Sequence, residues 1–321
     1  MEKLTHGSVQ NRPAVSEALS PAFKGVNLFK SARLLVPTVL FLALSALGVM
    51  LWQQYTRSSS RRHVQDGLRA AQSDDVGRAV REFEMAAELD GENADALYNL
   101  GLAYVDAGRN QEAIGAYLRA LRVRPNSAAI HLNLGNAYNR LGDKAHAIQE
   151  WKTALHLDER AVPPRINLAI AASMEGQTDL ALRYLSEAAD LEPDNAGVHY
   201  NLGALYMQLG QLEKAENEFQ RARQSNANLP YLLFNLAKVY ELQGDLALAV
   251  STYRQALRER PSEAISHCRL GRLLLKNRNQ QEEALRQLEI CQKKVPEAAQ
   301  AEGIAERNPH TATKPGKPFK E

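Results

Sequence analysis

The sequence holds little of what catalytic chemistry usually requires. Its 321 residues include two cysteines, Cys268 and Cys291, which form no CxxC pair. That spacing excludes the paired-thiol zinc and redox motifs. The pair reads first as two small helix-packing residues, because a free Cys behaves as a small buried hydrophobe; a disulfide is the alternative. No HExxH or HxxxH pair offers a metal site. His131, His199 and His267 recur at roughly the spacing of the repeat described below and are expected to be solvated or groove-lining. There is no glycine-rich phosphate loop, since the glycines are single and periodic. Carboxylates are abundant, but "AENEFQRAR" (215–223) reads as a solvated amphipathic face and Ser58–Ser60 as a linker. These absences predict a chain with no catalytic residues, no metal, no cofactor and no small-molecule substrate.

A charge surplus of one sign is lacking as well. The formal net charge is +2, and residues 60–298 carry 29 Lys and Arg against 32 Asp and Glu. Residues 1–33 carry five basic and two acidic groups. A nucleic-acid binder would show a basic stripe on its folded part, so no nucleic-acid partner is expected. No N-x-S/T sequon is present, so glycosylation does not indicate a side of the membrane.

One long apolar run is present. Residues 34–52, "LLVPTVLFLALSALGVMLW", contain no charge. At about 1.5 Å per residue a helix of that length covers roughly 28 Å, close to the hydrocarbon core of a bilayer. Trp52 and Tyr55 stand at its far end, where amphipathic rings favour the interface. Pro37 is expected in the first helical turn, where a missing N–H is harmless. A cleaved signal would have a shorter apolar region after a short basic start; here the long arm 1–33 precedes the run and no A-x-A site follows. An uncleaved transmembrane helix over 34–52 is therefore expected, with 1–33 a disordered basic arm and 53–59 a linker. Lys24, Lys30 and Arg33 on one side balance Arg57, Arg61 and Arg62 on the other. A short basic arm tends to stay inside, so the N-terminus is placed in the cytoplasm and the large C-terminal part on the periplasmic or lumenal side. A soluble secreted protein left by leader cleavage is the alternative.

The rest of the chain repeats itself. Leu100-Gly101 returns as Leu134-Gly135, Leu168-Ala169, Leu202-Gly203 and Leu236-Ala237, always at the same interval. The same period carries Tyr104, Tyr138, Ala172, Tyr206 and Tyr240; Gly108, Gly142, Gly176, Gly210 and Gly244; Ala113, Ala147, Ala181, Ala215 and Ala249; Tyr117, Trp151, Leu185, Phe219 and Tyr253; and Ala120, Ala154, Ala188, Ala222 and Ala256. Leu and Tyr four positions apart share a helix face. The Gly falls just past that helix, where a left-handed turn suits it. The Ala columns let neighbouring helices approach, and the large residue between them fills the remaining space. Pro125, Pro193 and Pro261 mark where a second helix stops. Each unit is thus two antiparallel helices that bury their apolar faces only by stacking.

This pattern resembles the tetratricopeptide repeat (TPR) family, with its 34-residue period. The resemblance covers residues 60–298, in units 60–93, 94–127, 128–161, 162–195, 196–229, 230–263 and 264–298. It implies an all-α fold, a right-handed TPR α-solenoid of about seven helix-turn-helix repeats preceded by one transmembrane helix. The end units are degenerate: Asp66 stands where Leu is expected, and one extra residue precedes Ala284. Residues 299–307 are expected to extend the last helix, and "NPHTATKPGKPFKE" to be disordered.

The resemblance also implies where a partner would bind. TPR proteins line a concave groove with the first helix of each unit. Carried over, the groove includes Tyr98, Leu132, Ile166, Tyr200 and Phe234, with Asn99, Asn133, Asn167, Asn201 and Asn235 beside them. Further along the same helices come Leu102, Asn136, Ile170, Ala204 and Lys238. Arg269 and Arg272 form a late basic patch. An Asn amide both donates and accepts, so the ladder would meet the backbone of an extended peptide; packing against a neighbouring helix is the competing role. The carboxylate clamp of TPR co-chaperones is not expected, because its Lys positions hold Tyr98, Leu132 and Ile166. The expected function is a non-catalytic, membrane-anchored scaffold for protein or peptide partners. The rival is a non-catalytic subunit of a synthase or transferase complex.

Overall fold

A computed structural model describes residues 28–226, 228–276 and 278–294, with side chains from residue 37 onward. Most of the basic arm and the Pro/Lys-rich tail, including the expected helix extension over 299–307, lie outside the described residues. Among those described there are fourteen α-helices, one 3-10 turn and no strand.

The chain divides into two units, residues 1–56 and 57–321. Helix α1, Leu28–Gln72, contributes to both. In the first unit it carries the uncharged run, and the side chains from Pro37 to Tyr55 are exposed, Phe41 at 71% and Trp52 at 67%. It is long and apolar enough to cross a membrane. Three expectations change here. Residues 28–33 are helical where a disordered arm was expected, Pro37 lies well inside the helix, not in its first turn, and residues 53–59 are helical where a linker was expected.

In the second unit, the end of α1 pairs with α2 (Val76–Leu89). Six further pairs follow: α3 (Ala94–Asp106) with α4 (Asn110–Val123), α5 (Ala128–Arg140) with α6 (Lys144–Leu157), and α7 (Val162–Met174) with α8 (Thr178–Leu191). Then come α9 (Ala196–Gln208) with α10 (Leu212–Ser225), α11 (Leu232–Gln243) with α12 (Leu246–Glu259), and α13 (Ala264–Leu274) with α14 (Gln281–Lys294). The extra residue of the last repeat falls at a 3-10 turn, Arg278–Gln280.

The sequence columns have the expected physical roles. Gly108, Gly142, Gly176, Gly210 and Gly244 all have left-handed backbones, with φ from 71° to 86°. Past each one the next N–H reaches back to the helix: Arg109 to the Tyr104 carbonyl (2.8 Å), Asp143 to Tyr138 (3.0 Å) and Gln211 to Tyr206 (2.9 Å). This is the six-to-one bond that closes a helix C-terminus around a glycine. Asp75, Asn93, Asp143, Asn195 and Asp245 cap the following helices by accepting a backbone N–H. The Ala columns are almost fully buried. The glycine of Leu-Gly lies against the ring of its own repeat: a Cβ on Gly101 would stand 2.4 Å from Tyr117, and one on Gly203 2.7 Å from Phe219.

The cysteines depart from the favoured reading. Cys268 on α13 and Cys291 on α14 are joined by a disulfide, with Cα atoms 5.1 Å apart.

Candidate functional site

The candidate residues sit on the first helix of each pair and fall into three rows that differ in exposure. The Asn column is buried: Asn99 3%, Asn133 7%, Asn167 1%, Asn201 5% and Asn235 8% exposed. Each amide N–H is used inside the protein. Asn133 donates to the Tyr98 hydroxyl and to the Ala129 carbonyl, both at 3.0 Å. Asn235 donates to the Tyr200 hydroxyl at 2.7 Å. Asn167 donates to Oδ1 of Asn136 at 2.9 Å. Asn99 and Asn201 donate back one turn, to the Asp95 and Gly197 carbonyls. Where the preceding repeat supplies a tyrosine, Tyr98 or Tyr200, the Asn ties one repeat to the next. The Oδ1 atoms of Asn99 and Asn167 are buried without a hydrogen-bond partner.

The apolar row is mostly covered too. Tyr98, Ile166, Tyr200 and Phe234 are 2–9% exposed. Tyr98 packs on Tyr117 (6.1 Å between ring centres), Tyr200 edge-on to Phe219 (5.7 Å) and Phe234 on Tyr253 (5.8 Å). Burial pushes the Tyr98 and Tyr200 hydroxyls above the ordinary tyrosine value, and the amides of Asn133 and Asn235 partly offset this. These groups are thus neutral donors and acceptors.

What is left accessible is most of the third row, together with Leu132 of the apolar row. Asn136, Ile170, Ala204, Lys238 and Leu132 are partly exposed, while Leu102 is buried. Asn136 is also structural, since its Oδ1 accepts from Trp151 Nε1 at 3.0 Å. At the late end Arg272 is exposed, and Arg269 is partly exposed with Glu241 3.9 Å away. The middle of the row is uncharged and carries a cation only from repeat six onward.

The histidines are neither solvated nor groove-lining. His199 and His267 are 2% and 7% exposed. Each bridges the two helices of its repeat and the turn before it. His131 contacts Glu150 (2.6 Å) and the Pro125 carbonyl (3.0 Å); His199 contacts Glu218 (2.6 Å) and the Pro193 carbonyl (2.6 Å). His267 meets Gln287 and the Pro261 carbonyl, and His63 meets Glu82 at 2.8 Å. In repeat four Arg165 takes over the column and donates to the Ala161 and Glu159 carbonyls. The signal lay in the sequence: the four histidines stand two repeats apart, and each is matched on the second helix by Glu82, Glu150, Glu218 or Gln287.

A stack of two-helix units with small-residue columns, glycine-closed turns and accessible side chains along its first helices is a TPR solenoid, a protein-interaction scaffold. Residues 51–308 match the family described as the cilia and flagella-associated protein 70 C-terminal domain, and the chain belongs to that family. Among curated proteins none matches the sequence. Solved structures share the fold. A tetratricopeptide repeat protein from Parabacteroides merdae has a TM-score of 0.61 at 17% identity, covering 78% of this chain and 100% of its own. PilW, described as a widely conserved type IV pilus biogenesis factor, has a TM-score of 0.58 at 24% identity, over 63% of this chain and 94% of its own. PilF of Pseudomonas aeruginosa has a TM-score of 0.57 at 22% identity, over 68% of this chain and 100% of its own. At these identities the likeness is one of fold.

Proposed function

We propose that the chain is a non-catalytic adaptor, anchored in a membrane by the apolar part of α1, that holds extended segments of partner proteins along the first helices of its repeats. The cytoplasm takes the N-terminal arm, and the repeat domain works on the opposite side. The observation that carries this reading is the accessible set Leu132, Asn136, Ile170, Ala204 and Lys238, lying over a layer whose asparagine donors are engaged internally. An apolar and neutral-polar row suits main-chain and small apolar side-chain contact, with Lys238, Arg269 and Arg272 facing the acidic end of a segment. The Asn column, with its donors used between and within repeats, serves here by holding the row in place.

The test places a photo-crosslinking residue at Ile170 or Lys238 of the full chain in its membrane, with a control at Arg183 on α8. Crosslinks to one partner from the first two positions and none from the third are expected. Ile170→Glu combined with Ala204→Glu is expected to abolish them while the melting temperature holds. Equal crosslinking from all three positions, or full capture by the double variant, overturns the reading.

A further inference from the structure

The last repeat is built differently from the others. In repeats two to six, a large residue on the first helix (Tyr98, Leu132, Ile166, Tyr200, Phe234) occupies the column that Cys268 holds on α13. On the second helix, an alanine (Ala120, Ala154, Ala188, Ala222, Ala256) occupies the column of Cys291. In this repeat only, the two columns are joined by a covalent bond. The replacement falls where packing is weakest. Helix α4 buries five side chains and α12 four, whereas α14 buries Ala284 alone, with Leu288 partly covered in the aromatic column. No described helix follows α14. Besides Leu288, which lies against Gly271 of α13, its ties are polar: Glu283 to Arg254 at 2.6 Å, Gln287 to His267, and Lys294 to the Pro261 carbonyl at 3.0 Å. The first and last of these involve exposed or half-exposed groups, which contribute little.

We propose that the Cys268–Cys291 disulfide is the lock that keeps α14 docked, and that the repeat domain therefore works in an oxidising compartment and is opened at α14 by a dithiol reductant. Disulfides persist outside the reducing cytosol, so the inference stands on a different observation from the charge argument about membrane orientation. It is also independent of what the inner row binds. The chemistry balances without further partners. A thiolate of the reductant attacks one sulfur, with access from the side of the partly exposed Cys291, and forms a mixed disulfide while the other cysteine leaves as thiolate. The second thiol of the reductant then displaces the bound cysteine. Two electrons pass to the protein and two protons end on Cys268 and Cys291, while the reductant leaves as its own disulfide. Removing the bond restores the freedom of a loop spanning a sequence separation of 23 residues, which the remaining contacts of α14 oppose weakly.

The test uses the full chain, isolated from its membrane in mild detergent with maleimide present throughout lysis. Both cysteines are expected to be unlabelled and to appear as one linked peptide pair by mass spectrometry. Labelling of both at stoichiometric level overturns the compartment assignment. Dithiothreitol is then added, and amide hydrogen exchange is followed. Exchange over Gln281–Lys294 is expected to rise by about tenfold or more, while α3 to α12 keep their protection. The Cys268→Ser/Cys291→Ser variant is expected to match the reduced protein without reductant. Unchanged protection of α14 after both thiols have become reactive overturns the lock.

Discussion

Asn133→Ala tests whether the asparagine column holds the repeats together. The side chain is 7% exposed and gives up two hydrogen bonds, to the Tyr98 hydroxyl on α3 and to the Ala129 carbonyl on its own helix. At about 1 kcal/mol for each bond, less about 0.5 kcal/mol regained from the better helix propensity of Ala, the net loss is about 1.5 kcal/mol. In a domain of this size that lowers the melting temperature by about 2–8 °C, and the loss should be centred on the junction of repeats two and three, because a solenoid transmits stability between neighbours. Asn99→Ala is the internal control. Its residue in the same column has no tyrosine in the repeat before, since Val64 stands there; it donates only within its helix, and its Oδ1 is buried without a partner. Removing an unsatisfied buried acceptor offsets the lost local bond, so this variant should melt within about 1 °C of wild type. The assay is thermal circular dichroism of the full chain in detergent, with hydrogen exchange to locate the loss, completed by Tyr98→Phe and the double variant. A coupling of about 1 kcal/mol between Asn133 and Tyr98 is expected from the cycle. Zero coupling, or equal effects of Asn133→Ala and Asn99→Ala, refutes the staple.

Two further expectations concern the turns and the C-terminal repeat. Gly210→Ala forces a Cβ into a backbone with φ of 71° and should lower the melting temperature by about 2–6 °C, whereas Gly115→Ala, at an exposed position of α4 with open space around it, should raise it slightly; equal effects would show that φ does not decide these positions. Glu263 is held above the ordinary carboxylate value by burial, against the hydrogen bond from Ser266. The folded state therefore binds its proton more tightly than the unfolded chain does, and the stability this contributes is lost as pH rises through the raised value. Glu263→Gln should raise the melting temperature at neutral pH by about 1–2 °C, with the gain vanishing below about pH 4, where the carboxyl is protonated in both states. A loss at neutral pH would show that the ionised group is needed.

The repeat architecture was legible because its determinants are local and periodic. A glycine for a left-handed turn, alanines for close approach and a large residue to fill the gap between them recur at one period through repeats two to six, and the structure gives each its expected place. The candidate site was legible only in outline. Tyr98, Tyr200 and Phe234 belong to the right helices, yet position on a helix does not show whether a ring faces a groove or the next helix. The histidines were misread for a related reason. A polar residue is placed at the surface by default, and only the two-repeat spacing together with a downstream Glu or Gln indicates the buried bridge.

By itself, the sequence determined the period, the helical class, the closing turns and the presence of an apolar segment long enough to span a bilayer, because these follow from backbone conformation and from hydrophobic spacing along one chain. Tertiary structure decided what distant residues do to one another: that the asparagines spend their donors within and between repeats, that the accessible side chains are Leu132 and the row Asn136 to Lys238 rather than the rings of Tyr98, Tyr200 and Phe234, and that Cys268 and Cys291 are bonded. Those outcomes depend on which side chains meet across helix packing, and a contact between columns of neighbouring helices leaves only a faint trace in a linear sequence.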